Sequence, residues 1–225
     1  MKYDTVIKGK FVSRPNRFIA YVMVNGKEEV CHVKNTGRCK ELLIPGVTVY
    51  LEVAKNPLRK TKYDLIAVRK GDRLINMDSQ APNRVFLEWA PKFFGEHAKI
   101  YPEKTYKNSR FDFYVETADG NRHFVEVKGV TLEKDGIVLF PDAPTERGKK
   151  HILELCDCVE HGFFAHLFFV VQMNNVSYFT PNRKTDPKFG EALKIAMKKG
   201  VHINAVDCNV TPNTMEISEF LEVRL

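Results

Sequence analysis

Apolar positions in the first third of the chain fall in short runs split by turn residues. Val6–Ser13 leads into Pro15-Asn16, and Phe18–Val24 is dense in apolar and aromatic side chains. Asn25-Gly26, between that run and Glu28–Val33, is the strongest short hairpin signal. Asn35-Thr36-Gly37 breaks the third run, and Arg38–Ile44 has room for one or two helical turns before Pro45-Gly46. Val47, Val49, Leu51 and Val53 then alternate with Thr48, Tyr50 and Glu52, the period of a half-buried strand, and Tyr63–Val68 reads as a fifth strand. Five short strands with a small helix between the third and fourth are the order of an OB-type barrel, a fold often used on nucleic acids.

Past Arg73 the pattern lengthens. Arg84–Trp89 reads as a helix capped by Asn83 behind Pro82. Phe111–Glu116, His123–Val130 and Ile137–Phe140 read as a β-meander, with Asp119-Gly120 and Asp135-Gly136 at its turns. Thr145 caps a helix that runs to about Glu160 and closes at Gly162; Ile152, Leu155, Cys156 and Val159 form its apolar stripe. Phe163–Val171 is nearly all apolar, as in a strand covered on both faces. Asp186-Pro187 opens another helix that ends at Gly200, and Val201–Val206 supplies a last core strand. The sequence thus predicts a mixed α/β protein in two parts. Residues 1–80 form an OB-fold-like five-stranded barrel, and residues 81–225 form a mixed sheet with flanking helices.

Composition narrows the class. A chain of 225 residues, 44% hydrophobic and 28% charged, can bury a core without disulfide or metal staples. No run approaches the ~20 apolar residues of a membrane span, and MKYDTVIKGK lacks the apolar heart of a signal peptide. Five cysteines without a C-x-x-C read as small buried hydrophobes. These features predict a cytoplasmic protein with no membrane partner. The net charge of +7 is uneven: residues 1–80 carry +8 and residues 81–225 carry −1. A basic N-terminal module suits a polyanion such as a nucleic acid, with DNA and RNA both open. Arg14, Arg17, Lys34, Arg38, Lys55, Arg59, Lys60 and Lys62 are its candidate phosphate partners, and Tyr21, Tyr50 and Tyr63 its candidate stacking faces.

The meander carries the candidate chemistry. Glu126 and Lys128 are two apart on a strand and project from one face. Asp112, on the preceding strand, joins them if it pairs with Glu126 or Lys128. A two-residue Asp119-Gly120 turn would pair it with Val127 and turn it to the wrong face, so the site needs an odd loop count or a bulge. In register, the two carboxylates lie about 5 Å apart and repel. A hard divalent cation, Mg2+ or Mn2+, resolves that conflict and completes its shell with water and phosphate. Lys128 can then orient a water and offset charge at phosphorus. An Asp followed by Glu-x-Lys on the next strand is the PD-(D/E)xK nuclease arrangement.

Glu88 or Glu103 could add a metal ligand. Arg147, Lys150 and His151, in the first turns of the Thr145 helix, could hold a phosphate. Gln172 ends the buried strand, at the edge where α/β sheets place ligands. No G-x-x-x-x-G-K-[ST], G-x-G-x-x-G or G-x-S-x-G occurs, which removes the commonest nucleotide and hydrolase motifs.

Five segments resemble the sugar fermentation stimulation protein (SfsA) family. They are Asn35-Thr36-Gly37-Arg38, Ala81-Pro82-Asn83-Arg84, Ser109 to Phe113, Val125 to Leu132 and Phe140 to His151. The resemblance runs from about Arg17 to Asp207 and leaves the tail from Val210 to Leu225 outside it. It implies an OB-fold first domain and a PD-(D/E)xK nuclease-like second domain. It also implies sequence-nonspecific DNA binding and a link to regulation of sugar (maltose) metabolism. By position, Asp112, Glu126 and Lys128 would be the nuclease-like site. Two readings follow: a DNA-binding protein with a metal-dependent nuclease site, or a non-enzymatic DNA-binding regulator on the same fold.

Overall fold

The computed structural model describes all 225 residues. Six strands come first: β1 (Val6–Ser13), β2 (Ile19–Val24), β3 (Lys27–Val33), β4 (Thr48–Val53), β5 (Tyr63–Lys70) and β6 (Arg73–Asn76). Their order is β3-β2-β1-β4-β5-β6, and an additional parallel pairing of β3 with β5 closes the first five into a barrel. Asn25 and Gly26 both adopt positive φ, as the two-residue β2–β3 hairpin requires. The helix expected over Arg38–Ile44 is only a turn, in which the Leu42 and Leu43 N–H groups both donate to the Cys39 carbonyl. So short a segment cannot offset the cost of helix nucleation, and burial of Leu42 and Leu43 in the barrel core fixes it instead.

The second part comprises α1 (Ala81–Phe94), β7 (Lys99–Tyr106), β8 (Ser109–Glu116), β9 (Arg122–Val130), β10 (Glu133–Lys134) and β11 (Ile137–Phe140). It continues with α2 (Glu146–Glu160), β12 (Phe164–Val171), β13 (Tyr178–Pro181), α3 (Pro187–Lys198), β14 (His202–Val210) and β15 (Met215–Val223). The nine strands run β10-β11-β13-β15-β14-β12-β9-β8-β7. β12 lies inside the sheet, parallel to both β9 and β14. Its alternate residues feed two cores. Phe168 and Val170 pack with Phe86 of α1, while Leu167 and Phe169 pack on the side of α2 and α3. Thr145 caps α2 by accepting from the Gly148 N–H, and Asp186 caps α3 by accepting from the Phe189 N–H.

Three expectations change. α1 starts at Ala81-Pro82, so Asn83 is inside the helix and its side chain is free to reach the sheet. The meander is β7-β8-β9; Ile137–Phe140 pairs instead with β13, far across the sheet. β7 carries Pro102 and exposed charges, which suit an edge strand and blur its apolar period. Val201–Val206 does not supply the last strand, because the tail from Val210 carries β15, which lies between β13 and β14.

Barrel and sheet are tied together. Buried Glu133 of β10 pairs with Lys70 at 2.7 Å and Arg73 at 2.9 Å. The Asn76 N–H donates to the Gln172 carbonyl, and Gln172 Nε2 donates to Asn76 Oδ1 at 3.1 Å and to the Asp78 carbonyl at 3.0 Å. One hydrophobic cluster contains barrel residues such as Leu51 and sheet residues such as Phe169. No helix is long and apolar enough to cross a membrane, and all five cysteines are buried and unpaired.

Candidate functional site

The β8–β9 hairpin sets the register. Glu116 opposes Arg122 and Phe113 opposes Val125, leaving the five residues Thr117–Asn121 as the loop. Continued one residue past Phe113–Val125, that odd count would set Asp112 opposite Glu126. The backbone ladder stops there. Asp112 Oδ2 accepts from the Val127 N–H at 2.8 Å, and Oδ1 accepts from Asn83 Nδ2 of α1 at 2.8 Å. A side-chain oxygen thus takes the place of a backbone acceptor, and β8 and β9 part at the site.

Glu126 lies on the α2 side of β9 and is buried. Its Oε1 accepts from Lys128 Nζ and from His151 Nδ1. The Arg147 Nε–H donates to His151 Nε2 at 3.4 Å, which leaves Nδ1 to carry the proton given to Glu126. Glu126 Oε2 is buried without a partner. Burial pushes the Glu126 carboxyl up, but the His151 hydrogen bond and the Lys128 charge outweigh it and hold the value below the usual range. Asp112 is pushed the other way: burial and the negative charge of Glu126 raise it, against the Val127 and Asn83 hydrogen bonds.

The chemistry of this donor set fits a hard divalent cation. Glu126 offers an orphaned buried oxygen, and a cation would relieve the repulsion that raises Asp112. No group of three or more histidine, cysteine or acidic side chains is arranged to hold a metal, so the protein's own donors here are the two carboxylates. Water and a substrate phosphate would complete the shell.

The other acidic candidates lie elsewhere. Glu88 follows Asn83 by five residues, which turns it to a different face of α1, where it pairs with the Met1 ammonium at 2.6 Å. Glu103 stands across β7–β8 from Asp112, but at φ 57° it turns to solvent and pairs with Arg110 at 3.4 Å. His151 is a buried partner of Glu126 rather than a surface phosphate ligand. Arg147 and Lys150 are exposed, with Lys150 3.6 Å from Glu154. Gln172 is buried as a strut between the two parts.

The basic barrel residues divide in two. Arg14 donates to the carbonyls of Arg17, Asn35, Gly37 and Arg38 and so fastens a loop. Lys34 pairs with Glu52 and Asp78, Lys55 with Asp4, and Arg59 makes two bonds to Asp64. These four are structural cations. Arg17, Arg38, Lys60 and Lys62 are exposed, with Lys62 over the Tyr63 ring. Tyr63 is buried and Tyr21 and Tyr50 are half-buried, whereas Phe18, beside Arg17, is 51% exposed. Sequence reasoning missed Asn83 and Phe18 as functional candidates. Asn83 reads equally well as a helix cap, and Phe18 as one more residue of a half-buried strand.

Comparison with known proteins places this geometry. The model of the SfsA N-terminal OB domain matches residues 12–77, and that of the sugar fermentation stimulation protein RE domain matches residues 80–214. The sugar fermentation stimulation protein homolog of Desulfitobacterium hafniense (strain Y51) is 60% identical over 100% of this chain and 99% of its own. That of Clostridium beijerinckii is 57% identical over 100% of both chains. The solved structure of Pyrococcus furiosus SfsA in complex with Ca2+ superimposes with a TM-score of 0.89 at 29% identity, covering 100% of this chain and 98% of that one. With a barrel and a sheet that both match, over essentially the full length of its relatives, the chain belongs to the sugar fermentation stimulation protein (SfsA) family.

Proposed function

We propose that the protein binds DNA through its basic barrel and cleaves phosphodiester bonds at Asp112, Glu126 and Lys128 with Mg2+ or Mn2+. One observation carries the reading: a buried Glu126 oxygen with no partner, near a carboxylate, Asp112, whose ionisation that same Glu126 opposes. Asp112 and Glu126 would hold the cation, which when bound acidifies a water and offsets charge on the phosphate. Asn83 and the Val127 N–H fix the Asp112 carboxylate in place. His151 and Lys128 keep Glu126 charged despite its burial, and Lys128, only partly buried, can face the scissile phosphate. The Pyrococcus furiosus relative was solved with Ca2+, an oxygen-seeking cation of the same class.

The test is nicking of supercoiled DNA and digestion of single-stranded DNA by the full chain in Mg2+ or Mn2+. Asp112→Ala and Lys128→Ala should each lower the rate by about 10²–10³-fold. Activity unchanged in either variant removes that residue from the mechanism. DNA binding without turnover in any metal favours the non-enzymatic regulator.

A further inference from the structure

Two cavities adjoin between barrel and sheet. The larger, about 760 Å3, is flanked by Arg17, Arg38 and Lys40. The smaller, about 250 Å3, reaches Gly129 and Gln172. Thr36, Gly37 and Asp142 line both, so the two are segments of one cleft. Its inner end stops at the residue after Lys128.

The cleft has the charge of an anion track. The barrel's ion pairs engage Lys27, Lys34, Lys55, Arg59, Lys70 and Arg73 and leave Arg17, Arg38 and Lys40 free. Phe18 stands half-exposed next to Arg17, with the guanidinium 5.7 Å from its ring centroid. Free cations beside an exposed aromatic face are what an unpaired strand uses, phosphate on one and base on the other.

The cleft also has a limiting width. A Cβ on Gly37 would lie 3.1 Å from Asp142 Oδ2, and one on Gly129 would lie 2.6 Å from both Gln172 Oε1 and Pro82 Cγ. Glycine at position 37 lets the barrel loop approach Asp142 of the sheet this closely, and glycine at position 129 lets Pro82 of α1 and Gln172 close over the inner end. The inner cavity, about 250 Å3, equals roughly eight liquid-water volumes, on the scale of one nucleotide and far below a double helix.

We propose that this cleft admits a single unpaired nucleic-acid strand and leads it from Phe18, past Arg17, Arg38 and Lys40, to Lys128. The substrate class is then single-stranded ends, gaps or bubbles. The inference rests on the phosphodiester reading of the site, but binding tests it without cleavage. Asp142 stands at the neck as an unneutralised carboxylate that opposes the passing phosphates.

The experiment is fluorescence anisotropy of the full chain in EDTA with a labelled 12-mer as single-stranded DNA, as single-stranded RNA and as blunt DNA duplex. Single strands should bind at least about tenfold tighter than duplex, and Phe18→Ala should weaken single-strand binding about tenfold while leaving duplex binding alone. Arg38→Glu should weaken it further, and Asp142→Asn should tighten it two- to threefold, an order-of-magnitude expectation for one exposed charge. Thermal melts of each variant establish that the fold is kept. RNA bound as well as DNA supports the proposal equally. Duplex bound as tightly as single strand, or Phe18→Ala and Arg38→Glu without effect in folded protein, overturns it. Binding is read in EDTA, so failed cleavage with intact strand preference refutes the chemistry and spares the cleft.

Discussion

The two ends of the central strands β9, β12 and β14 treat buried titratable groups in opposite ways. Toward the carboxyl end of β9, Glu126 is held as a charge by His151 and Lys128. At the amino ends, His123, His166 and His202 stand side by side under Phe93 and Phe94 of α1. His123 Nδ1 and His166 Nε2 are 3.1 Å apart and share one hydrogen bond, and the outer nitrogens, His123 Nε2 and His166 Nδ1, are buried without partners. Apolar and aromatic walls favour the uncharged imidazoles. Burial, then the neighbouring His202 and His123, press His166 down to about 3, and burial lowers His123 as well. One end of the sheet therefore spends stability to keep a carboxylate charged, and the other favours uncharged His123 and His166. Only the first arrangement is poised to receive a cation.

The contrast predicts separate acid limits. His166 binds more protons unfolded than folded, so its contribution is complete above about pH 6.5 and lost as pH falls toward 3, up to about 5 kcal/mol at the extreme. Asp119, in the β8–β9 turn, opposes this at His123. Urea midpoints should thus begin to fall below pH 6.5, and His166→Phe should flatten that slope; an unchanged slope would remove the histidine end from the account. The Glu126 contribution is present above its ordinary carboxylate value near 4.5 and is lost only below it. Asp112, raised by burial and by Glu126, runs the other way and loses stability as pH rises through its folded value, which a bound cation would reverse.

The next largest effect should come from His151→Ala, which strips a buried charge of one donor at a cost of about 3 kcal/mol. For a chain of this length that is roughly 6–12 °C in Tm. Adding Glu126→Gln to His151→Ala should recover part of the loss, and simple additivity would show that the pair is uncoupled. Gln172→Ala should cost about 2 kcal/mol by freeing the Asn76–Asp78 strut, read as a lower urea midpoint. The smallest effect separates the two kinds of barrel cation. Arg38→Gln should shallow the log–log salt dependence of single-strand binding by about 0.7, whereas Lys55→Gln, whose partner is Asp4, should leave it unchanged.

Much of this was legible in the chain. Thr145 and Asp186 announce their helices because a capping side chain and its N–H partner are three residues apart. The barrel shows itself through alternation and through Asn25-Gly26. The Asp112–Glu126 register could be framed as a parity condition on one loop, and the Thr117–Asn121 loop meets it. What stayed hidden was non-local. Nothing near Ile137 says that it pairs with Tyr178 rather than with β9. Nothing near Met215 says that a strand enters between β13 and β14. Charge counting likewise could not separate Arg14, which holds four carbonyls, from Arg38, which is free, because the partners are set by the folded loop.

The cation-binding claim is tested most directly by calorimetric titration of Mn2+ into the wild-type chain and into Glu126→Gln. The account predicts saturable heat in the wild type that is lost in the variant, and tighter binding as pH rises through the Asp112 titration. Equal heats in both proteins, or no saturable heat in either, would contradict it.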